Sequence, residues 1–221
     1  MKAVIVANGI PTDPAADRRH AQSCDLVIAA DGGAGYCHTL DLHPDIIIGD
    51  MDSIDPDPAR VAAFKETEII RHPPRKDATD LELAIRLALE RGAGSIVILG
   101  ALGGRWDMSF GNLFLLALPE LKEVPVKLID GRQEIVLLTG KQTAVFRGKP
   151  GDTLSLIPAG EDVTGITLKE LEYPLVNATL TCGSSRGISN VLLDTKASVS
   201  LESGTLICVL MHDSGCQAEG V

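Results

Sequence analysis

Aromatic residues are scarce: one Trp, two Tyr and four Phe in 221 residues, or 3% of the chain. With 45% of the residues hydrophobic, the core has to be built from Ala, Val, Ile and Leu. Paired cysteines are also missing. The five present (Cys24, Cys37, Cys182, Cys208 and Cys216) form no CxxC and are odd in number. This argues against a disulfide framework or a structural zinc site and suits reduced thiols. No apolar run approaches the ~20 residues that span a bilayer, and the opening "MKAVIVANG" is too short in its apolar part for a secretory signal. Positive charge is in deficit: 20 Lys and Arg against 30 Asp and Glu leave a net charge of -10. Nonspecific nucleic-acid binding and docking on anionic lipid are therefore disfavoured, whereas a polyanionic ligand screened by a metal or a local basic cluster is not. No GxxxxGK[ST], GxGxxG, Ser/His/Asp or Cys/His signature occurs, so covalent catalysis is disfavoured. The expectation is a soluble, cytoplasmic protein with no nucleic-acid or membrane partner.

What is present falls into two textures. Up to about residue 130, short β-branched runs alternate with helical stretches. "AVIVA" (3–7), "LVIAA" (26–30), "DIIIG" (45–49), "SIVILG" (95–100) and "VKLID" (126–130) read as strands buried on both faces, with "TEIIRHPP" between the third and fourth of these as a further candidate. Thr79 to Arg91, "TDLELAIRLALER", carries apolar residues at 81, 84, 85, 88 and 89, a 3.6-residue stripe. Thr79 suits its N-cap, Glu82 the capping-box position and Gly92 its end. This alternation predicts an α/β N-terminal domain, residues 1–131, with a mainly parallel sheet covered by helices. From 132 to 212 short strand-like runs ("EIVLLTG", "QTAVFRG", "DTLSLIPA", "ATLTCG", "VLLDT", "TLICVLM") follow one another with turn residues between them, which predicts an all-β sandwich. Residues 213–221 have no pattern and read as a disordered tail.

In open α/β sheets, ligands bind beyond the carboxyl ends of the strands, and the polar residues gather there. Asp31-Gly32-Gly33 follows the second strand, and "GDMDS", with Asp50 and Asp52, follows the third. "RKDATD", with Arg75, Lys76, Asp77 and Asp80, follows "TEIIRHPP", and "GGRWD", with Arg105 and Asp107, follows "SIVILG". Each motif alone has an ordinary explanation. Asp-Gly-Gly makes strand-to-helix turns, a lone DxD forms Asx turns in solvent, and an acid in a first helical turn answers the helix dipole. Arg105 with Asp107 can be a surface salt bridge, Trp106 reads as a packing residue, and "RGISN" (186–190) reads as a hairpin turn. Four such loops on one edge are harder to explain separately. Two carboxylates two residues apart fit a divalent ion bridging a polyphosphate, in the oxygen-ligand style of Mg²⁺, and an Arg beside a Gly pair fits phosphate oxygens.

The stretches "ADGGA" (30–34), "PDIIIGDMDSI" (44–54), "DATDLELAI" (77–85), "GALGGRWD" (100–107) followed by Asn112, "GDTLSLIPAG" (151–160), "GITLKELEYPL" (165–175) and "GISN" (187–190), in this order, resemble the thiamine pyrophosphokinase family. The resemblance covers roughly residues 3 to 210. It implies transfer of the terminal pyrophosphoryl unit of ATP to the hydroxyethyl oxygen of thiamine, giving thiamine diphosphate and AMP, with Mg²⁺. It also implies an α/β domain followed by a β-sandwich, in a homodimer with active sites between subunits. Carried over by position, Asp50, Asp52 and Asp80 hold the metal. Asp31, Gly32, Gly33, Lys76 and Thr79 bind ATP, while Asp77, Arg105 and Asp107 act in the transfer. Tyr173, Ser189 and Asn190 bind thiamine.

Two positions depart from the pattern: Gly35, where Asn commonly follows ADGGA, and Met108, where a polar residue often follows the RxD. The aromatic at the thiamine pocket is Tyr173 rather than Trp, and a phenol ring can still stack. Either Asp77 or Asp107 is the acceptor of the alcohol proton. Two rival functions remain at this level: a pyrophosphokinase for another alcohol, such as a hydroxymethylpterin, and a non-catalytic sensor of nucleotide or thiamine diphosphate.

Overall fold

The computed structural model describes residues 1–22, 24–51 and 66–213. Asp52 and the terminal segment from 214 lie outside the described residues. The chain divides into two units, Met1–Gly131 and Arg132–Val221.

In the first unit six strands, β1 (Lys2–Val6), β2 (Leu26–Ala30), β3 (Ile46–Gly49), β4 (Glu68–Arg71), β5 (Ser95–Leu99) and β6 (Val126–Asp130), lie in the order β4-β3-β2-β1-β5-β6. All five pairings are parallel. From β1 the chain works outward through β2, β3 and β4, then returns to β5 and β6 on the other side. The topological switch point therefore falls between β1 and β5, where such sheets open a crevice.

The helices α1 (Pro14–Ala21), α2 (Gly33–Thr39), α3 (Asp80–Glu90) and α4 (Trp106–Phe114) connect the strands. Val4, Val6, Val27, Ala29, Ile47, Leu99 and Ile129 pack with Ala21 of α1 and with Ala34, Tyr36 and Cys37 of α2. The intervening residues Ile5, Ile28, Ile48, Ile98 and Leu128 are equally buried, and α3 packs across β1, β2 and β3. Both sheet faces are covered, which is why these strands read as unbroken apolar runs. Burial pushes the Cys37 thiol up to about 12 and raises Cys24 too, so neither is a ready thiolate.

Helix α3 starts where the cap predicts: Thr79 Oγ1 accepts a hydrogen bond from Glu82 N at 3.2 Å. Gly92 beyond its end takes φ +86°, a conformation that glycine adopts without penalty. Leu81, Ala84, Ile85, Leu87 and Ala88 are buried along it, at about 1.5–3 kcal/mol for each large side chain. Trp106 departs from expectation. It is 77% exposed and sits at 5.9 Å centroid distance from Phe110 on the outer side of α4, not in the core. Asn112 is the one buried residue of this nine-residue helix, so no apolar side chain of α4 reaches the core.

The described residues of the second unit form eight strands: β7 (Gln133–Thr139), β8 (Gln142–Arg147), β9 (Thr153–Pro158), β10 (Val163–Lys169), β11 (Ala178–Leu180), β12 (Asn190–Val191), β13 (Lys196–Leu201) and β14 (Thr205–Met211). They form two antiparallel layers, β12-β9-β14-β7 and β11-β10-β13-β8. Alternate residues meet between them: Leu154, Leu156, Leu206, Cys208 and Leu210 from one layer, Ile166, Leu168, Val199, Leu201 and Phe146 from the other. This is the aligned packing of a sandwich. "VLLDT" is not the extended strand expected. Pairing stops at Val191, and Leu192 makes only an isolated bridge to Leu171. Two strands escape a hydrophobicity reading, "VTGITLK" and "KASVSL". Their solvent faces are Thr, Ser and Lys, and the first is bulged around Gly165, where a side chain would run into Glu202.

Candidate active site

The ends of β1, β2, β3 and β5 open onto a cleft of about 650 Å³ in the first unit, lined by Asn8, Asp31, Asp50, Lys76, Thr79, Asp80 and Arg105 together with backbone from Gly9, Gly100 and Gly103. Its rim forms because β1 and β5 stay hydrogen-bonded past their strand ends. Ala7 N donates to Leu99 O at 2.8 Å, Gly9 N to Gly100 O at 2.6 Å and Ile10 N to Leu102 O at 2.8 Å. Gly9 must be glycine for this approach, since a Cβ there would lie 2.5 Å from Gly100 O. Asn112 fixes the neighbouring loop from below, its buried Nδ2 donating to Ala101 O at 2.7 Å. Beneath Gly100 lies the Tyr36 ring. Its hydroxyl donates to Asp17 Oδ2 at 2.6 Å, and Gly131 N donates to Asp17 Oδ1 at 2.8 Å. Burial raises Asp17's pKa above the ordinary carboxylate value, and burial with the Asp17 contact pushes Tyr36 far up, so this pair is a fixed strut under the cleft.

Asp31 occupies the end of β2 with φ +48°, a left-handed conformation that Asp tolerates. Its N–H donates to Ile48 O at 2.8 Å, and Gly49 brings the end of β3 against it, leaving only 3.0 Å between its Cβ and any side chain placed there. Asp31 Oδ1 is buried and has no hydrogen-bond partner among the described residues. A buried carboxylate oxygen without a partner is costly unless a cation or donor meets it. Lys76 Nζ reaches Asp80 Oδ1 at 2.8 Å, one turn along, in a half-buried pair. Arg105 grips Asp107 with two hydrogen bonds, Nε to Oδ1 at 3.1 Å and Nη2 to Oδ2 at 2.5 Å. That grip holds the Asp107 carboxyl below the usual range and the guanidinium above its own.

The cleft thus gathers Asp31, Asp50, Lys76, Thr79, Asp80 and Arg105 from four separate stretches of sequence. Gly32, Gly33, Asp77 and Asp107 are outside its lining. Gly33 has a purely structural reason: a Cβ would overlap Val6 O of β1. Among the described residues no three His, Cys, Asp or Glu side chains form a metal-binding group, and Asp52 lies outside them. The donor set is nevertheless all oxygen, with one carboxylate oxygen unmatched, which suits a hard divalent cation. The strand-end rule that singles out β2 to β5 extends to β1, whose end carries Asn8, a residue absent from the motifs above.

In the second unit, Tyr173 and Asn190 come together. Asn190 is 5% exposed; its Oδ1 accepts from Tyr173 N at 3.0 Å and from Val191 N at 2.9 Å, and its Nδ2 donates to Tyr173 O at 2.9 Å. The amide makes three of its four possible hydrogen bonds, holding the Tyr173 backbone while the ring stands 63% exposed. Ser189, at φ +56°, donates its N–H to Ser155 Oγ at 3.0 Å.

Two family models match the chain: the catalytic domain of thiamin pyrophosphokinase over residues 18–128 and the vitamin B1 binding domain of thiamin pyrophosphokinase over residues 142–206. Thiamine pyrophosphokinase of Bacillus subtilis (strain 168) is 30% identical over 214 residues, covering 96% of this chain and 100% of its own. Thiamine pyrophosphokinase 1 of Oryza sativa subsp. japonica is 28% identical over 179 residues, 77% of this chain and 67% of that one. The crystal structure of the Bacillus subtilis enzyme superposes with a TM-score of 0.85 at 29% identity, over 96% of this chain and all of that one. That of thiamin pyrophosphokinase from Geobacillus thermodenitrificans gives 0.83 at 29% identity, over 98% and 100%.

Proposed function

The chain belongs to the thiamin pyrophosphokinase family, and from that premise we propose how its residues carry the family reaction. The chain is an enzyme that moves pyrophosphate from ATP to thiamine, forming thiamine diphosphate and AMP. The hydroxyethyl oxygen of thiamine bonds to the β-phosphorus, the bond from that phosphorus to the bridging oxygen of the α-phosphate breaks, and AMP leaves. Such a transfer needs alignment and charge neutralisation rather than a covalent nucleophile.

The unpartnered Oδ1 of Asp31, buried where four strands end in one cleft, supports this placement of ATP more than any other feature. Asp50, Asp52 and Asp80 would hold Mg²⁺, which when bound neutralises charge developing on the diphosphate, and Asp31 lines the same cleft as Asp50 and Asp80. Lys76 screens Asp80, and Arg105 at the rim is positioned to take phosphate oxygens, released from Asp107 as it does so. Thr79 contributes its hydroxyl hydrogen to the same end of the cleft, since its oxygen already caps α3. Of the two candidate proton acceptors, Asp107 is the poorer base, being chelated by Arg105. Asp77 is exposed and free to approach from solvent.

Tyr173, with Ser189 and Ile188, offers thiamine an exposed aromatic and apolar face, and Asn190 sets it in place. We also infer a homodimer. Trp106, Phe110 and Leu113 border an apolar groove of about 340 Å³ on the first unit, and a second subunit with its own exposed Tyr173, Val176 and Ile188 is a matching partner. The four cysteines among the described residues are unbonded, which with the acidic composition supports a cytoplasmic setting, and no described helix is long and apolar enough to cross a membrane.

The test is AMP release from ATP with Mg²⁺, with and without thiamine, the product identified by mass and a chelator control included. Thiamine-dependent AMP matched by thiamine diphosphate and abolished by chelation is expected. AMP that appears only with a pterin alcohol would transfer the reaction to that acceptor. Folded protein that binds thiamine without AMP release would make the chain a sensor.

A further inference from the structure

Asn8 sits at the end of β1, the strand beside the switch point, and its exposed side chain lines the cleft. Among the described residues its carboxamide has no hydrogen-bond partner. The amide lies directly over Gly32. A Cβ added to Gly32 would overlap Asn8 Nδ2, with Cγ 2.5 Å and Oδ1 2.8 Å away. Gly32 itself has φ -59° and ψ -9°, an ordinary helical conformation open to any residue, so its backbone gives no reason for glycine. The two glycines of "ADGGA" therefore answer to different neighbours: Gly33 to the backbone of β1, Gly32 to a single side chain.

We propose that Asn8 binds the polyphosphate of the nucleotide, its amide N–H donating to a phosphate oxygen, and that Gly32 is the seat which lets the amide lie there. The inference rests on the family reaction being run in this cleft. Its chemistry follows from the surroundings. Asp31 and Asp50 make the cleft floor negative, so an anionic ligand needs donors that add no negative charge and do not compete for a cation. A neutral carboxamide meets that need, and a donor bonded to a charged acceptor is worth more than a neutral pair. Asn8 is also on a rigid backbone: Ala7 before it and Gly9 after it are tied to Leu99 and Gly100 at the end of β5, so the root of its side chain is placed before ligand arrives.

The test is calorimetric binding of Mg-ADP, which does not react, to the full chain and to Asn8→Ala, Asn8→Asp, Gly32→Ala and the Asn8→Ala/Gly32→Ala double variant, with kcat and KM for both substrates alongside. Asn8→Ala is expected to weaken Mg-ADP about tenfold and raise KM for ATP with KM for thiamine unchanged, the loss of one hydrogen bond to a charged group. Asn8→Asp, which keeps the oxygen but replaces the donor with a charge, is expected to lose more than the alanine variant. Equal or tighter binding by Asn8→Asp would mean that the oxygen serves a cation and would overturn the donor assignment. Gly32→Ala is expected to melt like the parent and to lose what Asn8→Ala loses, the double variant falling no further. Losses that multiply would show Gly32 acting by itself and would overturn the seat. If the parent makes thiamine diphosphate while Asn8→Ala binds Mg-ADP normally, this inference fails alone; if the parent neither binds Mg-ADP nor releases AMP, the functional assignment fails with it.

Discussion

Both units bond their fully buried polar side chains, Asp17 and Asn112 in the first and Asp152 and Asn190 in the second, but among the described residues only the first also leaves polar groups unmatched, and it does so at its cleft. In the first, Asp31 Oδ1 is buried without a partner at a strand end, and Asn8 holds an unused carboxamide over the same cleft. In the second, Asn190 makes three hydrogen bonds to Tyr173 and Val191, and Asp152, 1% exposed, accepts from Lys149 N, Asp213 N and His212. A protein tolerates the first condition only where a ligand compensates it, whereas the second is how a scaffold is fixed. The parallel unit is thus arranged to receive charge, and the sandwich to present an aromatic surface of settled geometry.

The sharpest way to break this contrast is Asp31→Asn. Activity is expected to fall on the order of a hundredfold or more, as for other preorganised electrostatic groups. The melting temperature should hold or rise, because the unmatched charge is removed. A variant that keeps its turnover, or unfolds, would place Asp31 with the scaffold residues instead.

Asn190→Ala should show the reverse pattern. Losing the clamp leaves Tyr173 N and Val191 N without their acceptor, so stability should drop by about 2–3 kcal/mol in denaturant unfolding. KM for thiamine should rise while nucleotide binding is preserved. A normal melt with lost thiamine binding would instead make Asn190 a ligand contact.

A smaller effect separates the units by pH. Burial pushes the Asp152 carboxyl up, but the two backbone N–H groups and His212 outweigh it and hold the pKa below 3.8. A depressed carboxylate contributes stability that is present above the unfolded value and lost as pH falls through the folded one. The stability of the second unit should therefore weaken as pH drops below about 4, and Asp152→Asn should remove that part of the dependence. An unchanged acid profile in the variant would dissociate Asp152 from the sandwich's stability.

The smallest effect should be alike in both units. The exposed pairs Arg18–Asp41 in the first and Lys141–Glu202 in the second should each change stability by less than about 1 kcal/mol on alanine substitution of the cation, less still at high salt. Thermal melts at two ionic strengths would check it.

Legibility followed the range of the forces involved. β2 was readable to the residue because a strand buried on both faces must be apolar throughout. Helix α3 was readable because Thr79 and Gly92 act within one turn. "KASVSL" was not, since its Ser and Lys positions face solvent and hide the alternation. Trp106 misled because hydrophobicity says that a ring prefers burial, not that a site for it exists. At Asn190, an adjacent Ser-Asn suggested a ligand contact or a turn, while the partner that decides its role lies 17 residues away.

By itself the sequence determined the strands of the first unit and its helix α3, the order of the acidic loops and the family to which they point, because these depend on local spacing and composition. Only the tertiary structure decided that β1 lies beside the switch point, that Asp31 Oδ1 is left unmatched, that Asn8 rests on Gly32 and that Asp107 is gripped by Arg105. Strand order and burial arise from contacts among residues distant in the chain. It is burial, by removing water as the alternative partner, that turns a polar side chain into either a strut or a binding group.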